Sequence, residues 1–275
     1  MSEPMQLDLD QVIRSKSPGL YRKIPRFVIN YLKRKIHVDE LNEILRIYAD
    51  KEGVDFTEAC VGYFNLNLEV EGLDKLPESG RFIFAANHPL GGMDGICLAT
   101  VIGKKYNKNI KYLVNDLLLN LRNLQSIFIP INMSGAQSKK ATQSINDAYL
   151  SDNQILYFPA GLCSRKTNGE IADLEWRKNF VQKAVDSKRD VIPVYFDGKN
   201  SNFFYRFANV RKRLGVKFNV ESVLLPDEMF KNRGKTFKII FGEPIPYTIF
   251  DESKSAKQWA AQVRETVYNM SKKQK

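Results

Sequence analysis

From about residue 65 onward, short apolar segments that suit strands alternate with segments that suit helices. NLNLEVEGL alternates apolar and polar residues, as a half-buried strand does, and RFIFAAN is a continuous apolar run of the kind found in buried strands. Similar patterns occur later in IKYLVND, SIFIPIN, QILYFPAG, DVIPVYFDG and KTFKIIFGEPI. The alternation predicts an α/β fold with a mixed, largely parallel sheet flanked by helices. In such a sheet, functional sites form beyond the carboxyl ends of the strands.

Before this region, residues 9–60 have helical character and an uneven charge distribution. No acidic residue occurs between positions 11 and 38, where apolar residues such as Phe27 and Tyr31 are interspersed among many cations. The cations are Arg14, Lys16, Arg22, Lys23, Arg26, Lys33, Arg34 and Lys35. Such a helix suits the interface of an anionic membrane, but a helix packed on the domain with a solvated basic face has the same composition. We therefore predict an N-terminal basic helical segment, residues 1–62, and an α/β domain, residues 63–275.

The net charge of +11 favours nucleic acid, anionic lipid or acidic metabolites as partners. A second basic stretch, residues 202–216, contains several aromatic residues and suits either a membrane contact or a helix over the sheet edge. The residues predicted to contact a membrane are Arg22, Lys23, Arg26, Lys33, Arg34, Phe203, Phe204, Arg211 and Lys212. No apolar run approaches the roughly 18 residues of a membrane-spanning helix, and the polar, acidic start is unlike a secretory signal. We expect a cytoplasmic protein that is peripheral on the cytoplasmic face of the membrane.

Cysteine and histidine are scarce, which restricts the chemistry of any site. Cys60, Cys97 and Cys163 lie far apart without the paired spacing of metal ligands, so we predict reduced thiols and no metal site. The only two histidines are His37 and His88. A site that needs three imidazoles is therefore excluded.

The segment FIFAANHPLGGMDG places His88 where a buried strand runs into a glycine-rich turn before a helix. Gly91 and Gly92 allow the backbone to fold tightly and to bring Asp94 back to His88. A carboxylate on one imidazole nitrogen leaves the other nitrogen basic, so His88 is the candidate general base and Asp94 its partner. The alternative is a histidine that caps a turn and an aspartate that caps the next helix.

The segment YFPAGLCSRK is a second strand that ends in a turn, and here positive charge follows. This position suits an anionic acceptor or a phosphopantetheine arm, although a solvated loop has the same composition. The residues predicted to bind substrate are Asn87, Gly161, Ser164, Arg165 and Lys166. Cys163 is an alternative nucleophile because of the nearby cations. A hydrolase that uses Ser164 is disfavoured because the Gly-x-Ser-x-Gly elbow is missing.

Four segments in order resemble the conserved blocks of the lysophospholipid acyltransferase superfamily. They are Asn87-His88 with Asp94, Phe158-Pro159-Ala160-Gly161 with Ser164-Arg165, Val191-Ile192-Pro193-Val194, and Gly242-Glu243-Pro244-Ile245. The resemblance covers about residues 65–250. It implies an αβα acyltransferase fold, an acyl-CoA or acyl-carrier-protein donor as co-substrate without a further cofactor, and His88 as the base assisted by Asp94.

The chain also departs from the superfamily pattern. Five residues separate His88 from Asp94 where the family has four, and Ala160 and Cys163 replace the family's Glu and Arg. The segment SIFIPIN lacks the Arg that holds an acceptor phosphate in the family. The Pro-Ala-Gly block is similar to a haemolysin-like branch that includes acyltransferases of lyso-aminolipids. These departures indicate an acceptor, either a lyso-aminolipid or a lysophospholipid, that need not carry a simple phosphomonoester. The resemblance implies an O-acyltransferase similar to the 1-acylglycerol-3-phosphate acyltransferases.

The predicted function is O-acyl transfer to a lysolipid in membrane lipid biosynthesis, with a lipid acceptor, a thioester donor and an anionic membrane surface as partners. Two alternatives remain. A nucleic-acid-binding protein would explain the charge, but no zinc-finger spacing or RNP-like motif is present and nucleic acid is not the expected partner. A non-catalytic lipid-binding member of the same fold would explain the altered Pro-Ala-Gly block.

Overall fold

The structure is a computed structural model that describes residues 7–16, 18–22, 25–115, 121–131, 139–216 and 219–272. Lys23, one of the predicted membrane contacts, lies outside these residues.

A seven-stranded sheet forms the centre of the molecule. Its strands are β1 (Asn67–Glu71), β2 (Phe82–Ala86), β3 (Ile110–Asn115), β4 (Phe128–Ile131), β5 (Gln154–Tyr157), β8 (Asp190–Asp197) and β9 (Thr236–Phe241). They lie in the order β1-β9-β8-β2-β5-β3-β4, and all neighbouring strands are parallel except β8 and β9, which are antiparallel. The predicted mixed, largely parallel sheet is therefore confirmed. The short strands β6 (Arg165–Thr167) and β7 (Glu170–Ala172) form a separate antiparallel hairpin.

Helices cover both faces of the sheet. The helices of the described residues are α1 (Leu9–Lys16), α2 (Pro18–Tyr21), α3 (Arg26–Ile36), α4 (Val38–Ile47), α5 (Gly53–Tyr63), α6 (Met93–Lys105), α7 (Lys139–Leu150), α8 (Asn179–Ser187), α9 (Asn202–Arg213), α10 (Leu225–Lys231) and α11 (Ala256–Lys272). Because side chains alternate along a strand, Phe84 packs in one core with α5 and α6, whereas Ile83 packs in the other with α8 and α11. Burial on both faces explains why β2 is apolar throughout.

The N-terminal helices contribute to the same core as the sheet. Leu45 of α4 and Phe56 of α5 are buried in the cluster that contains Phe84. The proposed boundary between residues 62 and 63 stays a prediction. Within the described residues, no helix combines the length and the apolar character that a bilayer crossing requires.

The sheet brings the two predicted site segments together. β2 and β5 are parallel neighbours, with Phe84 opposite Leu156 and Ala85 opposite Tyr157. Their carboxyl ends therefore lie side by side. The turn that contains His88 follows β2, and the turn that contains Gly161 follows β5.

Candidate active site

His88 and Asp94 are in contact, as their spacing predicts. The His88 Nδ1 atom lies 3.1 Å from Asp94 Oδ2. The Asp94 carboxylate is fully buried in the first turn of α6 and also accepts the backbone N–H groups of Leu90 and Gly95 at 2.9 and 2.8 Å. These bonds fix the carboxylate, so the side chain that orients His88 is itself held in place.

A sharp turn accommodates the five residues between His88 and Asp94. Gly91 has φ 87°, in the left-handed region that favours glycine. A Cβ atom at this position would lie 2.9 Å from Leu225 of α10, and one at Gly92 would lie 2.9 Å from the Met229 sulfur. The two glycines therefore let the turn accommodate the extra residue while α10 packs directly on it, and His88 stays in contact with Asp94.

The imidazole of His88 packs against an aromatic ring, and one of its nitrogens has no hydrogen-bond partner among the described residues. Its ring stacks on Phe158 with centroids 4.1 Å apart, and its side chain is 13% exposed. Asp94 accepts the Nδ1–H, which leaves Nε2 as the basic nitrogen. None of the described residues hydrogen-bonds to Nε2. Burial lowers the pKa of His88, but the charge and hydrogen bond of Asp94, with the charge of Asp173, outweigh burial and raise it above its ordinary value.

Asn87 is bonded within the protein. Its buried amide donates to the Phe196 carbonyl at 2.9 Å, and its Oδ1 accepts the Phe196 N–H at 2.7 Å. These bonds tie the end of β2 to β8, and the role of Asn87 in substrate binding stays a prediction.

The segment after β5 is also bonded mainly within the protein. Ser164 is buried and its hydroxyl donates to Asp173 at 2.6 Å. Arg165 donates to the Cys163 carbonyl and sulfur and pairs with the buried Glu221 at 2.8 Å. Ser164 and Arg165 are thus bonded within the protein, and their predicted substrate contacts stay predictions. Gly161 and Lys166 remain half-buried, so their predicted role stays open.

Cys163 does not have the properties of a nucleophile. Its thiol is buried, and burial raises its pKa to about 11 although Arg165 opposes this effect. A thiol of this kind carries little thiolate at neutral pH. The chemistry therefore does not favour the covalent route through Cys163.

The predicted membrane contacts separate into exposed and internal residues. Phe204 is fully buried, and Arg211 pairs with Glu221 at 2.7 Å, so the predictions for these two residues are wrong. Phe203 and Lys212 are exposed on the same helix. In the N-terminal segment, Arg26 and Lys33 pair with Asp10, a residue just before the stretch without acids, whereas Arg22 and Arg34 are exposed.

Asp173 is a component of the site that the sequence did not indicate. It lies between β7 and α8, is 5% exposed, and accepts the backbone N–H of His88 at 3.1 Å. Its position, 85 residues after His88, carries no spacing signal. Among its hydrogen-bond partners, only Trp176, which donates to Asp173 at 2.9 Å, is close to it in the sequence.

The family model and the two curated relatives name the same chemistry, acyl transfer. An acyltransferase family model matches residues 11–274. The chain is 50% identical over 264 residues to the lyso-glycine lipid O-acyltransferase of Bacteroides thetaiotaomicron, and the alignment covers 96% of this chain and 97% of that protein. It is 49% identical over 264 residues to the lyso-glycine lipid O-acyltransferase of Phocaeicola vulgatus, with 96% and 95% covered. The 1-acyl-sn-glycerophosphate acyltransferase structure from Thermotoga maritima matches with a TM-score of 0.49 and 14% identity over 89% of each chain.

Proposed function

Because the chain belongs to the acyltransferase family, we propose that it transfers a fatty acyl group from a thioester to a hydroxyl group of a lyso-glycine lipid. The acceptor follows from the names of two relatives that align with almost the whole chain. The observation that carries the chemistry is the His88–Asp94 pair, which leaves the His88 Nε2 atom open. This intact geometry also argues against a non-catalytic lipid-binding protein.

The reaction needs one base. The acceptor hydroxyl gives its proton to His88 Nε2 while its oxygen attacks the thioester carbonyl carbon. Asp94 stabilises the imidazolium that forms. The carbon–sulfur bond then breaks, and the proton moves from His88 to the departing sulfur to give a free thiol and the acylated lipid. Direct attack is favoured because Cys163 has a raised pKa and the Ser164 hydroxyl is bonded to Asp173.

The acceptor site has no cation where a phosphate-binding arginine is expected. Residues 126–131, between β3 and the end of β4, contain no basic side chain. Arg165 is engaged with Glu221. Both observations support an acceptor other than a lipid phosphomonoester, in agreement with the glycine lipid of the two relatives.

We also infer that the enzyme binds an anionic membrane surface, on the cytoplasmic face, through the outer face of α9. Phe203, Phe207, Val210 and Leu214 are all exposed and recur at helical spacing on one face. The opposite face buries Phe204 and Ala208. A surface helix normally has polar residues on its outer face, so an apolar outer face indicates a partner.

Charge supports an anionic bilayer as the partner of the outer face of α9. No acidic residue occurs between positions 198 and 220, whereas Arg206, Lys212 and Arg213 are exposed beside the apolar residues. A second copy of the chain would bring like charges together. The helix is adjacent to the site, because Asn200 just before it donates to the Pro89 carbonyl at 3.2 Å. This contact joins the start of α9 to the turn that contains His88, which supports access of a bilayer lipid from this side of the site.

The acceptor is tested with the purified protein and a panel of lysolipids. Lyso-glycine lipid, another lyso-aminolipid and lysophosphatidate are each incubated with acyl-CoA or with acyl-carrier protein, and the products are measured by mass spectrometry. We expect acylation of lyso-glycine lipid at the highest rate. Acylation of lysophosphatidate alone would overturn the proposed acceptor, and comparison of the two thioesters identifies the donor.

The membrane surface is tested with two matched leucines. Leu214, which directly follows α9, is 73% exposed, and Leu150 at the end of α7 is 66% exposed. We expect Leu214→Glu to weaken binding to vesicles that contain phosphatidylglycerol by about tenfold, because an apolar contact is lost and a repulsive charge is added. Leu150→Glu should bind as the wild type does. Equal binding of both variants, or binding that is insensitive to salt, contradicts this surface.

A further inference from the structure

Asp173 is a buried carboxylate that binds three donors from three parts of the chain. Its oxygens accept the backbone N–H of His88 at 3.1 and 3.2 Å, the Ser164 hydroxyl at 2.6 Å and the Trp176 indole N–H at 2.9 Å. No cation within the described parts of the chain forms an ion pair with it. A buried charge without a counter-ion is costly, so its retention calls for a specific role.

The main chain of Asp173 is held by α11. Its N–H donates to the Tyr268 hydroxyl at 2.7 Å, and its carbonyl accepts from Arg264 at 2.7 Å. The Arg264 guanidinium also lies over the Tyr268 ring, 4.8 Å from its centroid. The carboxylate therefore has a fixed position relative to the sheet, because α11 packs on β8.

Asp173 controls both polar groups of the His88 main chain. It accepts the His88 N–H directly, and it binds Ser164, whose N–H donates to the His88 carbonyl at 2.7 Å. The turn after β2 and the turn after β5 are joined at this point. Asp94 orients the imidazole ring, but it does not contact the His88 backbone.

We propose that Asp173 is a positioning residue for catalysis, which clamps the His88 backbone between the two turns so that Nε2 meets the acceptor hydroxyl. The inference rests on the proposed role of His88 as the base. Asp173 touches neither substrate nor the imidazole nitrogens, so it acts through His88. Its negative charge also favours protonated His88.

The test is Asp173→Asn, with Asp190→Asn as the control. Asn keeps the shape but removes the charge and offers an N–H₂ group where an acceptor is needed. Asp190 lies at the amino end of β8, away from the site, and accepts the Tyr247 N–H at 3.0 Å. We expect Asp173→Asn to lower kcat by about 10–100-fold with little change in KM, and Asp190→Asn to match the wild type.

Histidine NMR separates positioning from a merely structural role. The chain has two histidines, and His37→Asn assigns their signals. In Asp173→Asn we expect the His88 titration and the acidic limb of the rate profile to move to lower pH together. A variant that is only less stable, with unchanged kcat and unchanged His88 titration, overturns the proposal.

A second variant covers the case in which Asp173→Asn does not fold. Tyr268→Phe removes the hydroxyl that accepts the Asp173 N–H, and we expect a kcat about three- to tenfold lower. Wild-type kcat in Tyr268→Phe would contradict the proposal. If His88→Asn kept its activity, the proposed base would fail, whereas the NMR result would still report whether Asp173 controls His88.

Discussion

His37 and His88 have similar surroundings, but their Nε2 atoms differ in hydrogen bonding. Each Nδ1 atom lies near a carboxylate oxygen, 3.0 Å from Glu40 for His37 and 3.1 Å from Asp94 for His88. Each ring also stacks on a phenylalanine, with Phe230 at 4.2 Å and Phe158 at 4.1 Å. A histidine with a carboxylate and a stacked aromatic ring is therefore not by itself a sign of catalysis.

The two histidines differ in whether Nε2 has a hydrogen-bond partner. His37 Nε2 lies 3.3 Å from Asp227 of α10, so its ring joins the start of α4 to α10. Nothing among residues that the structure describes binds His88 Nε2, and this imidazole lies where two parallel strands end. His37 is thus bonded as a structural link, whereas His88 keeps a basic nitrogen for a substrate. A histidine is therefore a candidate base when one of its ring nitrogens has no hydrogen-bond partner within the protein.

The largest expected effect is the loss of activity in His88→Asn, for which the same substitution at His37 is the control. His88→Asn should lower kcat by about 10²–10⁴-fold, because the amide reaches Asp94 but cannot act as a base. His37→Asn should keep wild-type activity, since asparagine tolerates the left-handed backbone at this position, φ 56°. Initial rates of lipid acylation measure both. Similar losses in the two variants would remove the distinction.

The carboxylate partners provide the next comparison. Asp94→Asn should lower kcat by about 10²-fold or more, because the amide no longer selects the tautomer with a basic Nε2. Glu40→Gln should have little effect on the rate, since its partner is not the base. Steady-state kinetics at a fixed pH measure the ratio. A fully active Asp94→Asn enzyme would contradict the role of this carboxylate.

The pH dependence of the rate is expected to follow His88. The base works in its neutral form, and the pKa of His88 is raised, so kcat/KM should rise with pH through a midpoint above the ordinary value of about 6.5. The same shift stabilises the fold below the unfolded-state pKa, and this stabilisation is lost as pH rises through the folded-state pKa. A midpoint below 6 would conflict with this assignment.

The smallest effect concerns stability. His37→Asn should lower the free energy of unfolding by about 1–2 kcal/mol, because the link to Asp227 and the stacking on Phe230 are lost. Chemical denaturation measures it, with Leu150→Glu as the control, since Leu150 is exposed and outside the core. An unchanged free energy of unfolding would show that His37 is not a structural link.

Much of the fold was predictable because strands and helices follow from local patterns. The apolar run of β2 and the alternating pattern of β1 predicted strands that the structure contains. The hairpin of β6 and β7 was not predicted, since three-residue strands are too short to produce a pattern. The antiparallel direction of β9 against β8 depends on how the intervening chain returns, which local patterns do not encode.

The contact between His88 and Asp94 was accessible from sequence because both residues lie in one short turn with two glycines. Local spacing and backbone freedom determine such a contact. The bonds of Asp173, Asn87 and Arg165 were decided by tertiary packing, because their partners come from distant segments. The same is true of Phe204, whose burial depends on which face of α9 meets the rest of the protein. Composition records which side chains a segment carries, but only packing determines which of them remain free to meet a lipid.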